Sequence, residues 1–141
     1  MSTTADQPVD APPEAVWAVV ADPAWHERLD PRTRAVEAAG EPGAVGSGYV
    51  VVLRAFPLVR LRLTYRITAA QPGELLVAEV TRRGRWVAEQ RAEILPAADG
   101  IVLRWTVATR VRRRTRARYA VVALRELRTW LAALAREAST L

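Results

Sequence analysis

Cysteine and lysine are absent from this sequence, and histidine occurs once, at His26. Without cysteine the chain has neither disulfides nor thiolate chemistry. The nitrogen and sulfur ligands usual for zinc are almost entirely missing, so we expect no metal and no other cofactor. No stretch approaches the roughly 20 consecutive apolar residues of a membrane span, and no basic start followed by an apolar run marks a signal peptide. We therefore expect a cytoplasmic protein.

The positive charge is concentrated in one segment. All 21 basic residues are arginine, set against 15 acidic residues. Six of them fall between positions 110 and 118, namely Arg110, Arg112, Arg113, Arg114, Arg116 and Arg118. The remaining 15 arginines balance the 15 acidic residues, so any electrostatic function belongs to this segment.

Two interpretations of this arginine run stay open. It is either a solvated turn in an arginine-rich composition or a docking site for an acidic partner. Such a partner would be an acyl carrier protein, a phosphorylated ligand or an anionic membrane. Nucleic acid is disfavoured because no aromatic residue interleaves the run before Tyr119. Cations at the start of a helix oppose its dipole, which favours a functional reason for the run.

Helical periodicity appears at both ends of the chain. Residues 11–22 carry two prolines near their start, at 12 and 13, which a first helical turn tolerates, and Pro23 ends this helix. A second short helix is predicted over 24–29. Residues 116–138 place apolar side chains on one stripe, which predicts an amphipathic helix of about 22 residues, roughly 33 Å long.

Between the helices, the sequence has the alternation of β-strands. Residues 60–69, 86–95 and 101–111 alternate apolar and polar side chains, which indicates one buried and one solvated face. Glycine-bearing turns separate the segments at roughly ten-residue spacing, which predicts an antiparallel meander. The polar start, 3–10, would add an edge strand.

Together these elements predict an α+β fold in one domain, residues 1–141. A curved, six- to seven-stranded antiparallel sheet would wrap around the long C-terminal helix, with two short helices after the first strand. One helix, about 10–12 Å across, cannot fill the concave face of such a sheet. The sequence therefore predicts a hollow between sheet and helix for a small hydrophobic molecule.

Three segments resemble the START-like (SRPBCC) helix-grip superfamily, which includes polyketide cyclases/dehydrases and lipid transporters. They are VDAPPEAVWAVVADPAWHERLDP at 9–31, GSG at 46–48 and LRELRTWLAAL at 124–134. The resemblance covers nearly the whole chain and implies a ligand cavity under the terminal helix. It does not imply one activity, because this fold carries several.

Strand parity nominates residues that line the cavity. On the predicted inner face we place Leu63, Tyr65, Ile67, Trp86, Gln90, Leu103 and Trp105, with Trp130 closing the cavity from the helix. The rings would stack on a flat ligand, and Gln90 would hydrogen-bond a carbonyl or hydroxyl. The alternative is that the aromatic rings fill a solid core and Gln90 bonds a neighbouring backbone group. The direction of Tyr49 is undecided, because its strand is apolar on both faces.

Two functions follow. The first is a binding module for a polyketide-, aromatic- or lipid-like molecule. The second is a polyketide cyclase or dehydratase, in which Gln90 and Tyr65 stabilise an enolate-like oxygen and Glu79 or His26 acts as the base. For His26 we favour a surface position, and for Glu79 a pairing with an outward arginine.

Overall fold

The computed structural model describes residues 1–56, 59–110 and 116–141. Its elements, in chain order, are β1 (Ser2–Val9), α1 (Pro13–Val20), α2 (Trp25–Leu29), β2 (Thr33–Ala39), β3 (Gly48–Phe56), β4 (Val59–Gln71), β5 (Leu75–Arg82), β6 (Arg85–Ala97), β7 (Gly100–Thr109) and α3 (Arg116–Ser139).

The strands form one antiparallel sheet in the order β1-β7-β6-β5-β4-β3-β2. Strands β2 to β7 are a meander, whereas β1 pairs with the last strand along its whole length, from Ser2 opposite Ala108 to Val9 opposite Ile101. Helix α3 crosses the inner face and contacts β1 and α1. The predicted α+β helix-grip architecture is confirmed.

The alternation in β4 and β7 explains which face is covered. Tyr65 and Ile67 are buried, whereas Thr64, Arg66 and Thr68, which alternate with them, are exposed. In β7, Leu103 and Trp105 are buried around the exposed Arg104. The inner face is therefore apolar and the outer face carries the charge, as a sheet with one solvated side requires.

The apolar stripe of α3 completes the core. Leu127, Leu131, Leu134 and Ala138 are buried at helical spacing, whereas Val122 on the same helix is exposed. The helix has 24 residues, about 36 Å at 1.5 Å per residue, which is enough to cross the sheet.

A bulge changes the parity of β6. Val80 pairs with Ala88 but the next residue, Thr81, pairs with Trp86, so Val87 is the extra residue. A bulge of this kind interrupts the strict alternation of side chains. This is why Trp86 does not lie on the inner face with Ala88.

Truncating the helix at its most buried point tests this packing. We expect Leu131→Ala to lower the free energy of unfolding by about 2–5 kcal/mol, because the side chain is 1% exposed and its removal leaves a cavity. The control Val122→Ala, at an exposed position of the same helix, should change it by less than about 0.5 kcal/mol. Urea unfolding measures both, and equal effects would contradict the assigned face of α3.

Candidate functional site

A cavity of about 200 Å³ lies between the inner face of the sheet and α3. Its walls come from five strands besides β1, together with the helix. The lining residues are Thr3, Leu53, Leu63, Tyr65, Val80, Val87, Ala88, Gln90, Val107, Thr109, Ala123, Glu126, Leu127 and Trp130. Most of these side chains are aliphatic or aromatic, and the polar ones are few, as in sites for small organic ligands.

Tyr65 and Gln90 form the central polar pair of this wall. The Gln90 Nε2 donates to the Tyr65 hydroxyl at 3.4 Å. Burial raises the pKa of Tyr65 to about 12, although the hydrogen bond from Gln90 opposes this change. The phenol is therefore protonated at neutral pH, and its proton is available to a ligand oxygen.

An aromatic cluster supports Tyr65 from behind. The ring of Tyr49 stacks on that of Tyr65, with 4.8 Å between centroids and planes 10° apart. The Nε2 of His26 and the hydroxyl of Tyr49 are hydrogen-bonded at 3.1 Å. His26 in turn stacks on Trp25 at 3.8 Å and meets Tyr65 edge-on at 5.1 Å. These contacts hold the Tyr65 ring in one orientation at the cavity wall.

The close approach of β3 to β4 depends on Gly48. A Cβ at this position would lie 2.8 Å from the backbone oxygen of Tyr65, closer than real Cβ atoms come. Glycine allows the two strands to meet here. The next pair in the ladder, Tyr49 opposite Tyr65, can then stack.

The expectation that His26 lies on the surface is wrong. Its side chain is only 5% exposed and sits in the aromatic cluster. Burial lowers the pKa of His26 to about 4, and the nearby Asp30 charge opposes this only partly. The imidazole is therefore neutral at physiological pH. A five-residue helix has too little periodicity to reveal which of its faces is buried.

Arg32 joins α2 and β2 to the helix above the cavity. It is hydrogen-bonded to the buried Asp30 at 3.2 Å and to Glu126 of α3 at 3.3 Å. Its guanidinium also lies over the Trp130 ring, 5.5 Å from the centroid. Arg32 therefore contacts two lining residues at once. They are Glu126, the one carboxylate among the described lining residues, and Trp130.

Thr109 supplies a second polar point in the wall. Its Oγ1 is buried and has no hydrogen-bond partner among the described residues. Buried hydroxyls are normally satisfied, so an unpartnered one beside a cavity indicates a place for a ligand atom or a water. The Nε1 of Trp105 also lacks a partner in the described part of the chain, but it faces the core.

Four of the eight residues predicted to line the cavity do so: Leu63, Tyr65, Gln90 and Trp130. Three others are inward but form solid core outside the cavity wall: Ile67, Leu103 and Trp105. Trp105 packs edge-on against Trp25 at 5.8 Å. The filled-core alternative therefore holds for Trp105.

Trp86, Glu79 and the described residues of the arginine run do not line the cavity. The bulge sends Trp86 under the guanidinium of Arg110, 5.5 Å from the ring centroid, and Val87 takes its place in the wall. Glu79 is opposite Arg66 in the ladder and is absent from the cavity lining. The proposed base at Glu79 is therefore not placed to act there. Of the arginine run, Arg112, Arg113 and Arg114 lie outside the described residues, as do the side chains of Arg116 and Arg118.

Sequence reasoning missed Val87, Thr109, Glu126 and the aromatic partner Tyr49. Only Thr109 had a signal, since alternation in β7 placed it on the inner face. Glu126 is polar and falls outside the apolar stripe of α3, and side-chain spacing does not predict where a helix overhangs a cavity edge.

A larger groove of about 820 Å³ lies near the start of α1, beside Pro12, Pro72 and Pro96. It is more open to solvent than the cavity under α3 and contacts none of the aromatic cluster. The less open cavity under α3, which borders the aromatic cluster, is therefore the better candidate site.

Within the described ranges, no group of three or more His, Asp or Glu side chains is placed to hold a metal ion. No helix in the same ranges is both long and apolar enough to cross a membrane.

The sheet wrapped on a long helix, with an apolar cavity between them, defines the class of helix-grip proteins. Residues 1–139 match the family described as polyketide cyclase / dehydrase and lipid transport. The chain belongs to this family.

Solved structures share the fold at low sequence identity. TTHA0849 from Thermus thermophilus is 13% identical, with a TM-score of 0.78 over 99% of this chain and 98% of that one. NE0264 from Nitrosomonas europaea is 12% identical, with a TM-score of 0.78 over 99% and 95%. Ara h 8.0201 is 10% identical, with a TM-score of 0.70 over 100% and 99%. No curated protein sequence matches the chain significantly.

The burial of His26 predicts a pH dependence of stability. Its folded pKa of about 4 lies below the usual value of 6.5, so the unfolded chain binds the proton more readily. The stability that goes with the neutral imidazole is fully present above about pH 6.5 and is lost as the pH falls toward 4. Between about pH 8 and pH 5 we expect the free energy of unfolding to fall by roughly 2 kcal/mol from this residue.

Urea unfolding of the wild type and His26→Gln across this range measures the effect. The variant should have a flatter pH profile, whatever its stability at pH 8. Parallel profiles would mean that His26 is not buried as a neutral imidazole.

Proposed function

We propose that residues 1–141 act as one domain that binds a small, flat, apolar molecule in the cavity under α3. The observation that carries this proposal is an apolar cavity whose wall holds an oriented phenol–amide pair and a threonine hydroxyl without a partner in the described part of the chain. Membership of a family that combines cyclases, dehydrases and lipid transporters supports it.

The cavity limits the size of the ligand. Its volume of about 200 Å³ exceeds the roughly 150 Å³ of an apolar cavity known to hold benzene. It is below the roughly 300 Å³ at which drug-sized sites begin. One or two fused rings, or a short chain, would fill it, whereas a long lipid would extend beyond the wall.

The polar groups favour a ligand with an oxygen. The Tyr65 hydroxyl accepts from Gln90 and can donate its own proton to a ligand carbonyl or hydroxyl. A hydrocarbon would leave the Tyr65, Gln90 and Thr109 groups without a ligand partner, which costs affinity. An aromatic or polyketide-like compound with a carbonyl meets both requirements.

Filling the cavity tests the binding proposal. We expect Ala123→Leu to weaken the binding of 2-naphthaleneacetamide at least tenfold, because the added side chain occupies ligand space while remaining apolar. Val122→Leu, at the neighbouring exposed position, should leave the affinity unchanged. Titration followed by tryptophan fluorescence gives the dissociation constants, and native mass spectrometry of the purified chain would detect a co-purified ligand.

If neither the naphthyl probe nor a co-purified molecule is found, the binding proposal fails. If Ala123→Leu and Val122→Leu weaken binding equally, the ligand lies outside this cavity.

A second candidate is a cyclase or dehydratase, and the protonated phenol of Tyr65 favours it. A hydroxyl aimed at a ligand carbonyl would stabilise the negative oxygen of an enolate while a water molecule in the cavity takes up the carbon-bound proton. Gln90 would hold the phenol through its hydrogen bond. His26, the other predicted base, is hydrogen-bonded to Tyr49 and acts behind the wall rather than within it.

Exchange of α-protons distinguishes the two candidates. For an enzyme of this class, wild-type protein in D₂O should accelerate exchange at the methyl group of methyl 2-naphthyl ketone, followed by proton NMR. Tyr65→Phe should lower that rate about tenfold or more with affinity changed far less, since the hydroxyl acts mainly on the charged state. If the ketone binds but exchanges its protons at the background rate, the enzyme candidate is wrong and only the binding function stands.

Two expectations remain predictions: a cytoplasmic location, and docking of an acyl carrier protein at the arginine run.

A further inference from the structure

Three arginines crowd the tip of the hairpin that joins β5 to β6. Arg82 and Arg85 are paired across the ladder, and Arg83 and Gly84 form the two-residue turn between them. Like charges directly opposite each other repel, so this arrangement destabilises the hairpin. It also creates a positive potential at the tip, which attracts anions.

The turn itself is unfavourable for arginine. Arg83 has φ of 52° and is the one non-glycine residue with positive φ in the described part of the chain. With Gly84 at φ of 75°, the pair has the positive dihedrals of a type I′ turn, whose first position favours Asn, Asp or Gly. The geometry of the turn therefore does not favour an arginine at this position.

The charge at the tip is not neutralised by any ion pair of the described residues. Their ion pairs involve other arginines, such as Arg62 with Glu37 and Arg104 with Asp6. None of them includes Arg82, Arg83 or Arg85. The positions that the structure does not describe contain no Asp or Glu in the sequence, so they supply no carboxylate either.

The hairpin tip adjoins the cavity. Arg82, Arg83 and Arg85 line a surface concavity together with Val87, and Val87 also lines the cavity under α3. Val87 is 36% exposed, as expected of a residue that borders both spaces. A molecule lodged in the cavity could therefore extend past Val87 and reach the arginines.

We propose that the three hairpin arginines bind the anionic group of the ligand whose apolar part occupies the cavity, so that the ligand class is a small aromatic or short-chain carboxylic acid. This inference rests on the proposed binding function. Guanidinium groups match the planar geometry of a carboxylate, and an apolar cavity beside them selects for an amphiphilic acid rather than a free inorganic anion.

The nearby charges are compatible with this ligand. Glu126 is the carboxylate in the cavity wall, and its contact with Arg32 offsets its charge. Arg110 lies over Trp86, which points away from the inner face, so it does not compete for the cavity.

A matched pair of ligands tests the proposal: 2-naphthaleneacetate and its neutral amide, 2-naphthaleneacetamide. The wild type should bind the acid more tightly than the amide. The double variant Arg83→Asn, Arg85→Gln should weaken binding of the acid roughly tenfold, since each exposed charge contact contributes up to about fivefold. Its affinity for the amide should not change.

The variants are chosen so that folding does not confuse the result. Arg83→Asn places a residue favoured by the turn at its first position, so the variant should be at least as resistant to urea as the wild type. Arg62→Gln removes one charge from the outer face of the sheet, and it should leave binding of both ligands unchanged. Raising the salt concentration to about 0.3 M should weaken binding of the acid alone.

Each of the following results would overturn at least one of the two proposals. If acid and amide bind equally to the wild type, the arginine site is wrong and the cavity proposal stands. If neither binds, both are wrong. If acid and amide are not distinguished but the variants lose binding to phosphatidylglycerol vesicles, the arginines contact a membrane surface and the ligand-head-group proposal is overturned.

Discussion

One helix cannot cover the concave face of a seven-stranded sheet, and the rest of the molecule depends on this mismatch. The twist of the sheet curves it around α3, whose apolar stripe packs along the middle. At one end the short helices α1 and α2 fill the remaining space with Val16, Val19 and Trp25. At the other end no element takes that role among the described residues, and the cavity lies there.

The boundary between the filled end and the cavity is made of aromatic and polar groups that satisfy one another. His26 is paired with Tyr49, Tyr49 stacks on Tyr65, and Tyr65 accepts from Gln90. Burial lowers the pKa of the imidazole and raises the pKa of the phenol, so the boundary carries polarity without net charge. Under the proposed function, a ligand at this wall would meet oriented hydrogen-bonding groups whose geometry is set before it arrives, which would lower the cost of binding.

Much of the fold could be predicted because the periodicity is strong. Alternation in β4 correctly placed Leu63 and Tyr65 on the inner face, and the stripe in α3 correctly faced Leu127 and Leu131 inward. The candidate site was predicted less well. A strict alternation rule placed Trp86 inward, but one extra residue in β6 changed the parity. Bulges depend on the pairing of two strands, so one strand's sequence does not reveal them.

Some of the predicted lining residues border the cavity and others are packed in solid core, and strand parity does not distinguish the two groups. Tyr65 and Trp105 are both inward and both buried, yet one borders the cavity and the other packs on Trp25. The difference lies in where α1 and α2 sit above the sheet, which is a matter of contacts between distant segments. The same contacts bury His26, whose short helix has no pattern of its own.

By itself, the sequence determined the elements, the buried face of the sheet and the stripe of the helix, because each follows from side-chain spacing along a short segment. It also determined that cysteine and lysine chemistry is absent and that the positive charge is carried by arginine. Only the tertiary structure decided that Tyr49 stacks on Tyr65, that His26 is neutral in the interior, and that Val87 links the hairpin arginines to the cavity. These features depend on which segments, far apart in the chain, come within van der Waals and hydrogen-bond distance, and local spacing carries no record of that.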